Sequence, residues 1–208
     1  MERNSHRFAF ALKWCFDRLF SLIGIVVALP LLLVLAIIVK ATSRGNVFFM
    51  QERVGRDAKL FKIIEFRTMY EGSTGSTVTA AGDERITPFG AWLRRTKMDS
   101  LPELFNVLFG QMSFVGPRPD VPGYADKLQG DDRRMLQLRP GMTGPATLKY
   151  YNEEEILAAQ PDPQRYNNEV LFPDKVRTNI EYLDNYSFWT DIVIILKTAA
   201  APFKKKIS

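Results

Sequence analysis

The chain has 208 residues, of which 46% are hydrophobic, and its 28 Lys and Arg against 23 Asp and Glu give a formal charge of +5. This length suits one domain with a sizeable core, and the basic balance favours anionic partners such as phosphates and anionic lipids. The single cysteine, Cys15, excludes an internal disulfide, and the single histidine, His6, argues against a histidine metal site or a catalytic triad, so the chemistry must depend on carboxylates, arginines and lysines.

The first feature along the chain is a run of 21 uncharged residues, 19–39, which is long enough to cross the hydrocarbon core of a membrane as a helix. Pro30 lies near its middle, where a proline removes a helix hydrogen bond. Both flanks are basic, so neither end prefers the far side of a membrane. One interpretation is a re-entrant helix-break-helix that enters and leaves on one face, and the other is a proline-kinked transmembrane helix. A cleaved signal peptide is disfavoured, because no clear A-x-A-like site follows the run.

A small β-hairpin is predicted after the hydrophobic segment. Apolar residues at 48–50 and 61–69 favour two short strands, and the sequence Gly-Arg-Asp at 55–57 suits the turn between them. Residues 71–82 are rich in Gly, Ser and Thr and lack helical periodicity. They predict a loop that either closes over a substrate or simply connects two elements.

A helix with one basic side is predicted next. Thr87 is suited to cap a helix that begins at Pro88. The basic side leads directly to Asp99, although it also fits a solvated face or a contact with anionic lipid headgroups. Helical spacing places apolar residues on one side, Phe89, Trp92 and Leu93, and basic residues on the other, Arg94, Arg95 and Lys97.

A second helix start lies just beyond. Ser100 and Glu103 fit the capping box S-x-x-E, Pro102 suits the first turn, and Gly110 suits the helix stop. Asp99 is therefore predicted at a helix N-terminus, where free backbone N–H groups favour a nearby phosphate. An acid at this position also fits the ordinary role of complementing the helix dipole.

A rigid turn follows at 116–119, with the sequence Gly-Pro-Arg-Pro. The two prolines exclude a helix, so Arg118 is displayed from a stiff extended segment. Its planar guanidinium matches a phosphate with two parallel hydrogen bonds, although a plain surface loop has the same composition.

Two features close the chain. An acidic stretch at 153–155, followed by Pro-Asp-Pro at 161–163, is suited either to influence sugar choice or to form a surface loop. Ser187 is suited to cap a final helix, which Pro202 interrupts before the basic residues 204–206. The pattern predicts an interfacial helix, with a core helix and basic tail as the alternative. Its apolar face comprises Trp189, Ile192, Val193 and Leu196.

Over most of its length the chain resembles the monotopic phosphoglycosyl transferases, bacterial enzymes that start glycan assembly. The resemblance implies an α+β, helix-dominated fold with an N-terminal re-entrant membrane helix-break-helix, interfacial amphipathic helices and a small β-hairpin region. It also implies one domain over residues 1–208, with a membrane anchor at 1–44 and a cytoplasmic catalytic part at 45–208. The motifs that carry the resemblance are the hydrophobic segment, Gln-Glu-Arg-Val-Gly at 51–55, Phe-Lys-Ile at 61–63, Phe-Arg-Thr-Met at 66–69, the run 105–119, and Arg-Pro-Gly-Met-Thr-Gly at 139–144.

The family's chemistry implies a role for each matching residue. Asp99 would attack the sugar-linked phosphate of a UDP-sugar, release UMP, and pass the phosphosugar to polyprenyl (undecaprenyl) phosphate. Mg²⁺ would be shared between Asp99 and phosphate oxygens. Pro30 would mark the break in the membrane segment. The residues expected to bind substrate phosphates are Arg118, Arg139, Lys62, Arg67 and Arg94.

The same resemblance gives the expected partners and location. Besides donor and acceptor, the protein is expected to contact inner-membrane lipid at the cytoplasmic face of the bacterial inner membrane. Downstream glycosyltransferases of an exopolysaccharide, capsule or O-antigen pathway are further expected partners. No nucleic-acid partner is expected, because zinc spacing and RNA-binding signatures are missing from the sequence.

Position 100 departs from the family, which usually follows its nucleophilic Asp with Glu. Here Ser100 stands in that place, so the expected acidic dyad is missing. Either Glu103 substitutes, or the acceptor phosphate needs little base, or the protein is slowed or inactive; we favour activity without a strict dyad. The alternative from another class is a non-catalytic, membrane-anchored scaffold that binds polyprenyl phosphate or a partner enzyme.

Overall fold

A computed structural model describes residues 2–72 and 83–204 of the chain. Within these residues helices dominate, as the sequence predicts, and the strands form two small sheets. The helices are α1 (Glu2–Thr42), α2 (Pro88–Thr96), α3 (Glu103–Leu108), α4 (Pro145–Lys149), α5 (Glu153–Ala158), α6 (Pro163–Tyr166), α7 (Phe172–Asp184) and α8 (Phe188–Lys204). The strands are β1 (Phe48–Val54), β2 (Leu60–Phe66), β3 (Ser113–Val115) and β4 (Gly141–Thr143). Short 3₁₀ helices at Arg56–Ala58, Met98–Ser100, Ala125–Lys127 and Gly130–Gln137 and a π-helical turn at Asn167–Leu171 connect them.

Helix α1 runs without interruption through Pro30, so the predicted break is not confirmed. Its stretch Ala9–Thr42 is long and apolar enough to cross a membrane. Helical spacing gives α1 two opposite faces. One face is buried, and its stripe comprises Lys13, Asp17, Ser21, Ile25, Leu32, Leu35 and Val39. The opposite face exposes apolar side chains, among them Leu19, Val26, Val27, Leu33, Val34 and Ile37.

Both halves of α1 pack against the rest of the chain. Near its carboxyl end, Leu35 and Val39 join a core cluster with Phe66 of β2 and Leu93 of α2. Near its amino end, the Lys13 ammonium forms a buried ion pair with Asp191 of α8, with Nζ and Oδ2 2.6 Å apart. The globular part therefore lies along the length of this helix.

Strands β1 and β2 form the predicted hairpin. They pair antiparallel, with Val54 opposite Leu60 and Phe48 opposite Phe66. The turn includes Asp57, which has a positive φ of 56°. The predicted loop at 71–82 falls largely outside the described residues, since its residues 73–82 are among those omitted.

Helix α2 begins as predicted. Thr87 caps it by accepting a hydrogen bond from the Gly90 backbone N–H at 2.9 Å. Gly90 lies so close to β2's continuation that a Cβ there would meet the Thr68 carbonyl oxygen at 2.1 Å. Leu93 is completely buried against α1. Glycine at position 90 thus allows the close approach that positions the basic side of α2.

Helix α8 has the predicted cap, since Ser187 Oγ accepts from the Thr190 backbone N–H at 3.2 Å. The helix does not stop at Pro202, because it continues to its last described residue, Lys204. Trp189 is 75% exposed and Leu196 is 64% exposed, whereas the opposite side of the helix enters the core. The predicted apolar face therefore points outward, as an interfacial helix requires and a core helix does not. Of the predicted basic tail, residues 205 and 206 lie outside the described part.

Candidate active site

Asp99 and Glu103 lie on consecutive helical turns. Asp99 is in the 3₁₀ helix Met98–Ser100, and Glu103 is the first residue of α3. The predicted capping box is wrong, because α3 begins after Pro102 and has no side-chain cap. Instead, the Ser100 hydroxyl hydrogen-bonds the Glu103 carboxyl.

Strand β2 brings a third carboxyl group, Glu65, that the sequence analysis did not identify. Alternation along the strand puts Glu65 on the same face as Phe61 and Ile63, which pack against Val107 of α3. Asn106 of α3 fixes this arrangement, since it accepts from the Ile64 backbone N–H at 3.0 Å and donates to the Lys62 carbonyl at 2.7 Å. An acidic residue on the buried face of an alternating strand was the available sequence signal.

Glu65 and Glu103 form a carboxyl pair joined by a hydrogen bond. Glu103 is only 6% exposed. Burial, followed by the negative charge of Glu65, raises the pKa of Glu103 to about 8, although Arg118 and Ser100 act in the opposite direction. Two carboxyl groups can share a hydrogen bond only if one is protonated, so the pair holds a proton at neutral pH.

Asp99 combines burial with a mixed set of charges. Burial and the neighbouring Glu65 raise its pKa, while Lys97, Arg94 and Arg118 lower it. Its Oδ1 atom is buried and has no hydrogen-bond partner among the described residues. An oxygen with free lone pairs in a cationic setting is suited to bind a cation or to attack an electrophile.

Two arginines line the same site. Arg118 projects from the Gly-Pro-Arg-Pro turn and is accessible to solvent. Desolvation lowers its pKa, but the carboxylates of Glu103 and Glu65 outweigh that effect, and the pKa lies above its ordinary value. Arg53 of β1 was not predicted as a site residue. Its Nη1 donates to the Pro119 carbonyl at 3.3 Å, and its buried Nε has no partner among the described residues.

Arg94 connects α2 to the site. Its Nε donates to Thr68 Oγ1 at 2.8 Å, which orients the guanidinium, and its charge acts on Asp99. The structure thus brings together Asp99, Ser100, Glu103, Arg118 and Arg94 of the predicted residues.

Three predicted phosphate ligands are not brought to Asp99. Lys62 is exposed on the face of β2 opposite to Glu65, because adjacent strand positions alternate. Arg67 is only 8% exposed, and its Nη2 donates to Ser43 beyond the end of α1, at 2.8 Å to the carbonyl and 2.7 Å to Oγ. Arg139 lies 6.0 Å above the Trp14 ring of α1.

A second charged group adjoins Arg118. Asp120 has a pKa raised to about 6 by burial, against the lowering effect of Lys175, Arg118 and Arg53. Glu153 of α5, from the acidic stretch, pairs with Lys175 at 2.6 Å, and its charge acts on Arg118. One acid of that stretch therefore lies beside the site rather than on a remote loop.

Among the described residues, no group of three or more His, Cys, Asp or Glu side chains is arranged to hold a metal ion. Mg²⁺, however, usually keeps several waters and takes one or two carboxylates plus substrate phosphates. The unpartnered Oδ1 of Asp99 fits a ligand of that kind.

Comparison with known proteins agrees with this site. A family model described as bacterial sugar transferase matches residues 8–205. A UDP-N-acetylgalactosamine-undecaprenyl-phosphate N-acetylgalactosaminephosphotransferase of Aeromonas hydrophila is 34% identical over 88% of this chain and 41% of its own length. A UDP-glucose:undecaprenyl-phosphate glucose-1-phosphate transferase of Xanthomonas campestris pv. campestris is 34% identical over 91% of this chain and 38% of its own length. The exopolysaccharide production protein PSS of Rhizobium leguminosarum bv. phaseoli is 34% identical over 91% of this chain and 94% of its own length. The chain thus spans about two fifths of the first two relatives and nearly all of the third.

Proposed function

The chain belongs to the bacterial sugar transferase family, and from that premise we propose that it is a phosphoglycosyl transferase that moves a phosphosugar from a UDP-sugar to undecaprenyl phosphate. The observation that carries the proposal is Asp99, whose buried Oδ1 is unpartnered between the charges of Arg94, Lys97 and Arg118. Relatives named as transferases with these two substrates support the same reaction, and none of the observations favours the scaffold alternative.

The proposed reaction has two displacements at one phosphorus. An Asp99 carboxylate oxygen attacks the sugar-linked phosphorus, the P–O bond between the two phosphates breaks, and UMP leaves with the electron pair. A phosphate oxygen of the acceptor then attacks the same phosphorus. The bond to Asp99 breaks, the carboxylate is restored, and the product is a polyprenyl diphosphate-linked sugar.

Cations are needed because a carboxylate and a diphosphate repel each other. Arg118 and Arg94 act on Asp99 and are positioned to offset that repulsion. Mg²⁺, held by Asp99 and by donor phosphate oxygens, would supply further charge neutralisation. The residues of this chain orient the phosphates through the guanidinium groups.

The protonated Glu65–Glu103 pair accounts for activity without the usual dyad. Attack by an ionised carboxylate releases no proton, and the phosphate acceptor is already anionic, so neither step requires a strong base. A proton on the pair halves its negative charge beside the incoming diphosphate. Ser100 then serves the pair, through its hydrogen bond to Glu103, rather than the nucleophile.

The exposed apolar faces of α1 and α8 support a membrane location, which we assign to the cytoplasmic face of the bacterial inner membrane. The buried stripe runs along α1, so a perpendicular crossing would carry the globular part into the bilayer. A one-sided arrangement avoids that cost, and Pro30 would be the turning point of a re-entrant anchor. Labelling of Ser5→Cys and Arg44→Cys variants in a Cys15→Ser background tests it: reaction from the same face is expected, and reaction from opposite faces contradicts it.

The activity test is release of UMP from a panel of UDP-sugars by the purified protein with Mg²⁺ and undecaprenyl phosphate. Turnover is expected for the unmutated chain and for Asp132→Asn, an exposed control, but not for Asp99→Asn. Turnover that persists in Asp99→Asn would overturn the assignment of the nucleophile. No turnover with any donor, while a reference transferase is active in the same assay, would overturn the enzyme in favour of the scaffold.

A further inference from the structure

A cluster of arginines surrounds Trp14 at the amino-terminal half of α1. The Arg18 guanidinium carbon lies 4.2 Å above the Trp14 ring, and that of Arg139 lies at 6.0 Å. Desolvation and then the positive charges of Arg56 and Arg18 lower the pKa of Arg139, so the three guanidinium groups are close enough to repel one another. We call Trp14, Arg18, Arg56 and Arg139 the Trp14 cluster.

The acceptors near this cluster do not use up its donors. Arg18 Nε is buried and unpartnered among the described residues, and Nη2 reaches the Phe109 carbonyl only at 3.5 Å. Asp17 accepts from the Phe114 backbone N–H at 3.2 Å, away from Arg18. Arg56 has an exposed pair with Asp57 at 3.5 Å, which contributes little. The cluster therefore offers donors and charge to an anion from outside.

Its position indicates where that anion comes from. At 100° per residue, Trp14 and Arg18 project from the edge of α1, between the buried stripe and the exposed apolar face. Phe109, whose carbonyl Arg18 contacts, is 63% exposed. Tryptophan and arginine at the boundary of an apolar surface are suited to the headgroup layer of a membrane, where the ring and the long side chain remain partly in the apolar region.

We propose that the Trp14 cluster binds the phosphate of an anionic membrane lipid, at a site separate from Asp99. This inference rests on the proposed function only in placing α1 at a membrane. The ligand is a lipid-borne phosphate of the bulk bilayer, which holds the protein in a fixed orientation. Arg139 is thereby assigned to the membrane rather than to the donor, because its charged neighbours are Arg56, Arg18 and Asp17.

The test is partitioning of the full chain between water and vesicles, either of phosphatidylcholine alone or with phosphatidylglycerol added. Each arginine near an anionic surface contributes about fivefold to binding, so Arg18→Gln with Arg139→Gln should lower the phosphatidylglycerol-dependent gain about 25-fold. Arg165→Gln with Arg177→Gln removes the same charge from exposed positions and is expected to leave most of the gain. Equal losses in the two double variants would overturn the proposal.

Further arms separate the site from its alternatives. Arg18→Lys retains the charge and should keep most of the gain, which shows that folding is not the cause of a loss. Millimolar inorganic phosphate should not compete, since the site takes a lipid-borne group, and competition would overturn that. A gain with undecaprenyl phosphate but none with phosphatidylglycerol would assign the cluster to the acceptor and overturn the proposal. Asp99→Asn should bind as the unmutated chain does, so a failed activity test leaves this result intact.

Discussion

The protonated Glu65–Glu103 pair makes a specific prediction about stability and pH. Moving the pKa of Glu103 from 4.5 to about 8 corresponds to roughly 4–5 kcal/mol in favour of the protonated form. Because the folded state binds more protons than the unfolded state between these values, stability falls as pH rises from about 4.5 to about 8. The loss is complete above that window.

Glu103→Gln removes this loss while keeping the shape of the side chain. The amide oxygen still accepts from the Ser100 hydroxyl, and the amide nitrogen donates to Glu65 in place of the shared proton. Since the energy belongs to the pair, one substitution recovers only part of it, on the order of 2 kcal/mol at pH 8.5. For a chain of this size that corresponds to a rise in Tm of roughly 4–8 °C.

The assay is thermal unfolding in detergent, followed by tryptophan fluorescence at pH 5 and pH 8.5. Glu103→Gln should unfold at a higher temperature than the unmutated chain at pH 8.5 and at nearly the same temperature at pH 5. Glu181→Gln, an exposed substitution on α7, should change neither value. A variant that is no more stable at pH 8.5, or equally stabilised at both pH values, would refute a shared proton in this pair.

Three further substitutions test the packing that positions the site, each by the midpoint of thermal or urea unfolding. Leu93→Ala should cost about 2–5 kcal/mol, because the completely buried side chain leaves a cavity against α1, whereas exposed Leu60→Ala should cost much less. Lys13→Met should cost about 3–5 kcal/mol by leaving the buried Asp191 without its cation, and adding Asp191→Asn should restore much of that loss. Thr87→Ala should cost about 1 kcal/mol through loss of the α2 cap. A loss for Leu93→Ala no larger than for the exposed control, or no recovery in the double variant, would contradict these packing arguments.

Local signals in the sequence predicted the elements that depend on neighbours in the chain. The hairpin, the Thr87 cap and the Ser187 cap each depend on residues within one turn or two short strands, and the structure contains all three. The capping box at Ser100 failed for a local reason too. Pro102 allows a 3₁₀ turn before α3, and the Ser100 hydroxyl turns to the Glu103 carboxyl instead.

The composition of the site depends on which side of a strand each residue occupies. Lys62 and Glu65 are close in sequence, but alternation puts only Glu65 toward α3. Arg53 joins the site because β1 pairs with β2, a contact that the sequence order alone does not specify. Arg67 and Arg139 belong to motifs of the family, yet their side chains face Ser43 and Trp14. Motif membership therefore located the right segments without giving the direction of each side chain.

The most direct test of the central claim is detection of the phosphosugar on Asp99 itself. The protein is incubated with a UDP-sugar and Mg²⁺ in the absence of acceptor, quenched with acid, and analysed by intact mass and peptide mapping. We predict a mass increase of one phosphosugar on the peptide that contains Asp99, its disappearance on adding undecaprenyl phosphate, and no adduct in Asp99→Asn. Full turnover with no adduct, or an adduct on another residue, would contradict the account.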